Sequence, residues 1–168
     1  MTTKERNIAF IDAQNLHLGT ASEDWKIDFK RFRIYLKDKF HIEEAYFFLG
    51  FINDDHKEMY RKIQKAGFIL EFRDHNSNML GKKKGNVDVD IVFEVMHRLL
   101  EEDDFNKIVL VTGDGDYIQL VKYLIQKERL KRILFPNSKY SSLYKPFKDL
   151  YGMNLSEERV KNILKFIQ

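Results

Sequence analysis

Two aspartates separated by one glycine, Asp114 and Asp116, follow an apolar run in the stretch KIVLVTGDGDY. Asp12 closes a second apolar run, NIAFID, and Asp88 and Asp90 stand at the head of a third, NVDVDIVFEVMHRLL. Carboxylates are the hard oxygen donors that Mg²⁺ and Mn²⁺ prefer. Brought to one place, Asp12, Asp88, Asp114 and Asp116 would repel and raise one another's pKa unless something positive sat among them. The chain has no cysteine, so thiolate metal sites are excluded, and His17, His41, His56, His75 and His97 show no paired ligand spacing. With carboxylates and metal but no evident nucleophilic side chain, the chemistry to expect is attack by metal-activated water.

Such a site needs elements that carry its acids to one edge. Asn7 to Asp12, Ala45 to Phe51, Gly67 to Phe72, Ile108 to Val111 and Arg132 to Phe135 read as buried strands, being short apolar runs closed by turn signals. Between them Asp28 to Phe40, Asp54 to Ala66, Val87 to Leu100 and Tyr117 to Gln126 keep a helical period, and Ser156 to Phe166 opens on a plausible serine N-cap. The segment around Pro146 predicts one short interrupted helix. Alternation of strand and helix argues for a parallel α/β sheet with right-handed crossovers, in which ligands gather beyond the carboxyl ends of the strands. On a helix turning about 100° per residue, Asp88 falls within the apolar stripe of Ile91, Val92, Val95 and Leu99, while Asp90 falls beside Glu94, His97 and Glu101. Asp88 is therefore expected to face inward and Asp90 outward. Each acid alone has an ordinary explanation: Asp88 as a helix N-terminal residue, Asp12 as a capping residue for the turn DAQN, Asp114 as an N-cap with an Asx-turn. The conjunction favours a cation.

The 168 residues, 43% of them hydrophobic, suit one globular domain spanning residues 1–168. No apolar run approaches the roughly 20 residues of a bilayer span, and no charged-then-apolar leader opens the sequence, so a soluble, cytoplasmic protein without a membrane partner is expected. A net charge of +3, from 29 basic and 26 acidic side chains, does not itself suggest a polyanion partner. Its distribution matters more: acids dominate FINDDHKE and LLEEDDF, and bases dominate GKKKGN and QKERLKR.

The stretches FIDAQNL, KKGNVDVDI and LVTGDGDYIQLV, in that order and spacing, resemble the NYN domain family, in its LabA-like branch of the PIN-like nucleases. The resemblance runs from about Asn7 to about Leu150 and rests on all three motifs together. It implies a three-layer α/β/α sandwich with a mainly parallel central sheet and a metal-dependent ribonuclease using Mg²⁺ or Mn²⁺. It further implies Asp12, Asp88, Asp114 and Asp116 as the metal-binding and catalytic set, with Asn15 and Thr112 assisting, and products ending in 5′-phosphate and 3′-hydroxyl. Ala13, Thr112, Tyr117 and Glu94 stand where glycine, serine, phenylalanine and aspartate are common in the family. The family's late serine-rich pattern is only loosely echoed by Ser141, Ser142, Tyr144, Lys148 and Asp149.

RNA, single-stranded for preference, is the expected partner, and a homodimer would enlarge the binding surface. Positive charge is needed around an acidic centre that meets a polyanion, and Arg73, His75, Lys82, Lys83 and Lys84 precede Asp88. Tyr117, Tyr140 and Tyr144 are the aromatics placed to stack an unpaired base; Phe47, Phe48, Phe72 and Phe93 belong to core elements. GKKKGN lacks the spacing of a nucleotide-binding P-loop. Two other readings stay open: an RNA-binding or regulatory module with little turnover, and a phosphohydrolase with Asp12 as nucleophile. The latter would want a second acid two residues later, where Gln14 stands.

Overall fold

Asn7–Asp12 is buried at every position, which a strand reaches only when both faces of its sheet are covered. In the structure, a computed structural model describing residues 4–74, 87–101 and 104–168, this strand lies at the centre of a six-stranded sheet. The strands are β1 (Asn7–Asp12), β2 (Ile42–Leu49), β3 (Ile69–Phe72), β4 (Ile108–Val111), β5 (Leu130–Phe135) and β6 (Gly152–Asn154). All pair in parallel, in the order β3-β2-β1-β4-β5-β6.

The side-chain alternation of β1 sorts the core into two layers. Ala9 and Ile11 face a cluster built on α1 (Ala13–Ala21), α2 (Phe29–Phe40), α3 (Lys57–Lys65) and α7 (Glu158–Leu164). Ile8 and Phe10 face a cluster built on α4 (Asp88–Leu100) and α5 (Ile118–Gln126), with Tyr117 and Tyr144. A short α6 (Lys148–Tyr151) leads into β6. The expected three-layer sandwich is present. Because the order reverses between β1 and β4, a crevice opens at their carboxyl ends, the switch point where ligands of such sheets bind.

Sequence boundaries hold for β1 and β4 and shift by a few residues elsewhere. β2 begins earlier, at Ile42, its first residues including Glu43 and Glu44 at the more exposed end of the strand. Helix α1 and strand β6 are absent from the sequence reading. α1 buries only Ala13, Leu16 and Thr20, so it carries little apolar periodicity, and it is fastened instead by Asn137 Nδ2 donating to Gly19 O at 3.0 Å. Ser156 does not cap α7, which begins at Glu158 without a side-chain cap. Its hydroxyl donates to Pro136 O at 2.6 Å and accepts the Trp25 indole N–H at 2.9 Å, so it joins β5 to the α1–α2 connection. Phe93 is not core: it is 67% exposed on the outer face of α4.

Candidate functional site

Asp12 is both the last residue of β1 and the N-cap of α1. Its side chain is buried, and each oxygen meets a donor: Oδ1 accepts the Asn15 N–H at 3.1 Å, and Oδ2 accepts the Tyr117 hydroxyl at 3.0 Å. Burial pushes the Asp12 carboxyl above its usual range; these two hydrogen bonds pull it down, and the charges of Asp114 and Asp88 push it up again. Asp12, Asp88 and Asp114 thus share one electrostatic neighbourhood. The Tyr117 phenol is held far above its ordinary value by burial, reinforced by Asp12.

Beyond β4 the chain turns tightly. Thr112, almost wholly buried, accepts the Asp114 N–H on Oγ1 at 3.1 Å, and Asp114 Oδ1 accepts the Asp116 N–H at 3.0 Å, capping the 3-10 turn Gly115–Tyr117. The ordinary role of Asp114 as an Asx-type cap is therefore fulfilled, and its second oxygen has no hydrogen-bond partner among the described residues. Asp116 is exposed at the rim. Asn15 crosses the crevice, its Oδ1 accepting the Gly113 N–H at 2.7 Å, so α1 and the acidic turn are tied directly.

Gly115 has a packing reason for lacking a side chain: a Cβ there would lie 2.6 Å from Ser141 Oγ and 3.1 Å from Leu143 Cδ1. It needs no left-handed backbone, since Gly67 holds the one positive φ among the described glycines. The segment that presses on it is clamped by the Ser141 N–H donating to Gly113 O at 2.9 Å and by the Tyr144 hydroxyl donating to Asp114 O.

Asp88 is the first residue of α4 and is half-buried, close enough to raise both Asp12 and Tyr117. Asp90 departs from the expected outward position. It is half-buried, and its Oδ2, shielded from solvent, lies 3.8 Å from Arg73 Nε. The helical wheel misplaced it because the wall that α4 faces includes Arg73, beyond the end of β3. Of the expected RNA-contacting set, Arg73 is thus engaged with Asp90, while His75, Lys82, Lys83 and Lys84 lie outside the described residues. Tyr117 and Tyr144 are fully buried and unavailable for stacking on a base. Tyr140 is half-buried and stacked on Phe135 with centroids 3.9 Å apart.

Among the described residues no group of three or more His, Asp or Glu side chains is drawn together closely enough to hold a metal ion. The donor chemistry nevertheless fits a hard divalent cation. The donors are all carboxylate oxygens, the charges of Asp114 and Asp88 raise the proton affinity of Asp12, and no basic side chain forms an ion pair with Asp12, Asp88, Asp114 or Asp116 among the described residues.

An all-parallel sheet of this order, with helices on both faces and acids at its switch point, makes an α/β/α sandwich domain. The NYN domain model matches residues 7–145, which include all of Asp12, Asp88, Asp114 and Asp116; the chain belongs to the NYN domain family, a nuclease-like group. It is 24% identical over 128 residues to the Low amplitude and bright protein LabA of Synechococcus elongatus, an alignment covering 71% of this chain and 67% of LabA. The crystal structure of a protein of unknown function from Vibrio parahaemolyticus shares the fold, with a TM-score of 0.78, 18% identity and 99% of each chain covered. No helix among the described residues is long and apolar enough to cross a membrane.

Two residues at the site escaped the sequence reading. The Tyr117 hydroxyl binds Asp12, whereas the sequence suggested a stacking role, and the Tyr144 hydroxyl fixes the main chain at Asp114. The first left a signal: tyrosine where phenylalanine is common, in the turn that carries the acids.

Proposed function

We propose that this protein is a metal-dependent ribonuclease that hydrolyses single-stranded RNA, with Asp12, Asp88, Asp114 and Asp116 holding Mg²⁺ or Mn²⁺. The observation that carries this reading is the placement of Asp12 at the end of β1 and of Asp114 in the turn after β4, tied across the switch point of the sheet by Asn15 and Tyr117, with Asp88 at the head of α4. A bound divalent cation would lower the pKa of the attacking water and offset charge on the phosphoryl oxygens. The protein's own residues prepare the place. Asp12 is oriented by Asn15 N–H and Tyr117, the Asp114 turn is held by Thr112 and Tyr144, and Asn15 fixes the distance between the two walls. His75, Lys82, Lys83 and Lys84, with Arg73, are assigned to the RNA phosphates, which would otherwise be repelled by the acids.

A second reading is favoured by the lack of a gathered ligand group among the described residues: an RNA-associated NYN module with little turnover. One experiment separates the two. Labelled single-stranded and structured RNAs are incubated with wild-type protein and Asp114→Asn, with Mn²⁺, Mg²⁺ or EDTA. The ribonuclease reading expects cleavage by the wild type alone and only with the metal. Cleavage surviving EDTA or the substitution overturns it, and RNA binding without cleavage under any metal supports the module.

A further inference from the structure

Asp12 receives its hydrogen bonds from opposite sides of the crevice. The Asn15 N–H belongs to α1, the helix that Asp12 itself caps, and so moves with the β1 wall. The Tyr117 hydroxyl belongs to the 3-10 turn behind Asp114 and Asp116, and so moves with the β4 wall. A carboxylate with one donor can still swing about its Cβ–Cγ bond, whereas donors on both oxygens, from separate elements, fix its plane. An ionised carboxylate has about four lone-pair sites, so two donors leave one free on each oxygen.

The tyrosine ring does not need this hydroxyl for packing. It is wholly buried in the apolar cluster that α4 and α5 form with the sheet, and a phenylalanine would fill the same space. Only the O–H reaches Asp12. We propose that Tyr117 is a positioning residue, its hydroxyl holding the Asp12 carboxylate in the orientation that receives a divalent cation and coupling that orientation to the turn carrying Asp114 and Asp116. The inference rests on the metal-dependent reading above and adds to it a residue acting through Asp12. Partners of ligand residues of this kind commonly change metal affinity or activity by about 10- to 100-fold when removed.

The test reads metal binding directly, by calorimetric titration of Mn²⁺ into metal-free wild type, Tyr117→Phe, Asp12→Asn and the double variant. Tyr60→Phe serves as a control, because it removes a tyrosine hydroxyl that accepts from the Asn53 N–H and bonds none of the four acids. Tyr117→Phe should weaken Mn²⁺ about tenfold, with the control unchanged. On the Asp12→Asn background the same change should cost nothing further, since the carboxylate that Tyr117 orients toward the cation is no longer there. Under Mn²⁺ turnover, kcat should fall while KM for RNA holds.

Wild-type affinity in Tyr117→Phe, or an equal loss on both backgrounds, overturns the inference while leaving the ribonuclease reading standing. A wild type that binds no Mn²⁺ overturns both. If Tyr117→Phe does not fold, ring-fluorinated tyrosine at this position alters the strength of the hydrogen bond with nearly the same shape. An unshifted Mn²⁺ affinity there overturns the inference equally.

Discussion

The two ends of the sheet handle charge in opposite ways. At the amino end acids are matched: Arg6 reaches both Glu43 and Asp104, and Arg98 joins Glu44, Glu94 and the face of the Tyr46 ring, 4.4 Å from its centroid. Asn7, fully buried there, is satisfied by Phe40 O and the Lys107 N–H. At the carboxyl end Asp12, Asp88, Asp114 and Asp116 have hydrogen-bond donors or solvent but no basic partner among the described residues. Matched charge holds a fold together. Unmatched charge of one sign is retained at a cost to stability, and that cost is what a bound cation would relieve.

The contrast can be broken from either side. The largest effect is expected from Asp12→Asn or Asp114→Asn: loss of metal-dependent RNA cleavage by more than the roughly hundredfold that outlying partners of ligands cost, measured as initial rates, with the thermal midpoint of metal-free protein unchanged or raised. A lowered midpoint would mean that these acids are structural. Arg98→Ala should do the reverse, leaving cleavage intact while costing about 1–3 kcal/mol in urea unfolding, because Glu44 and Glu94 lose their guanidinium.

The smallest effect separates the ends by the sign of their pH dependence. Asp12 has a folded pKa above its unfolded value of about 3.9. Between the two values the folded protein holds the proton more firmly than the unfolded chain, so stability falls as pH rises through that window. Glu5, at the amino end, is lowered, chiefly by its hydrogen bond from Lys131. Its contribution is present above the ordinary glutamate range and is lost as pH falls through the lowered value. Urea midpoints across the acidic range should therefore lose their decline with rising pH in Asp12→Asn and lose a shallow opposite trend in Glu5→Gln. Mn²⁺ should flatten the first and leave the second.

The acidic end was far more legible in the sequence than the matched end. Asp12, Asp114 and Asp116 are fixed by the strands before them, and the IAFI of NIAFID and the run IVLV are apolar throughout because both sheet faces are covered, so the strand ends were readable. Asp88 was readable from helical periodicity. Asp90 was not, because its neighbour Arg73 is brought in by tertiary packing across the end of β3. Nor were the hydroxyls of Tyr117 and Tyr144: both read as loop aromatics free to stack a base, because their burial and the partners of their oxygens are set by tertiary packing. Helix α1 was hidden by weak periodicity, and β6 by its length of three residues.

The antiparallel bridge between Ile27 and Lys165 joins parts of the chain far apart in sequence, and Asp28 N–H donates to Leu164 O beside it. Leu155, Val160 and Leu164 are buried against the same layer as Trp25, Phe32 and Leu36. That layer is therefore closed by contacts of long sequence separation, whose loop-closure entropy must be met before they stabilise the fold.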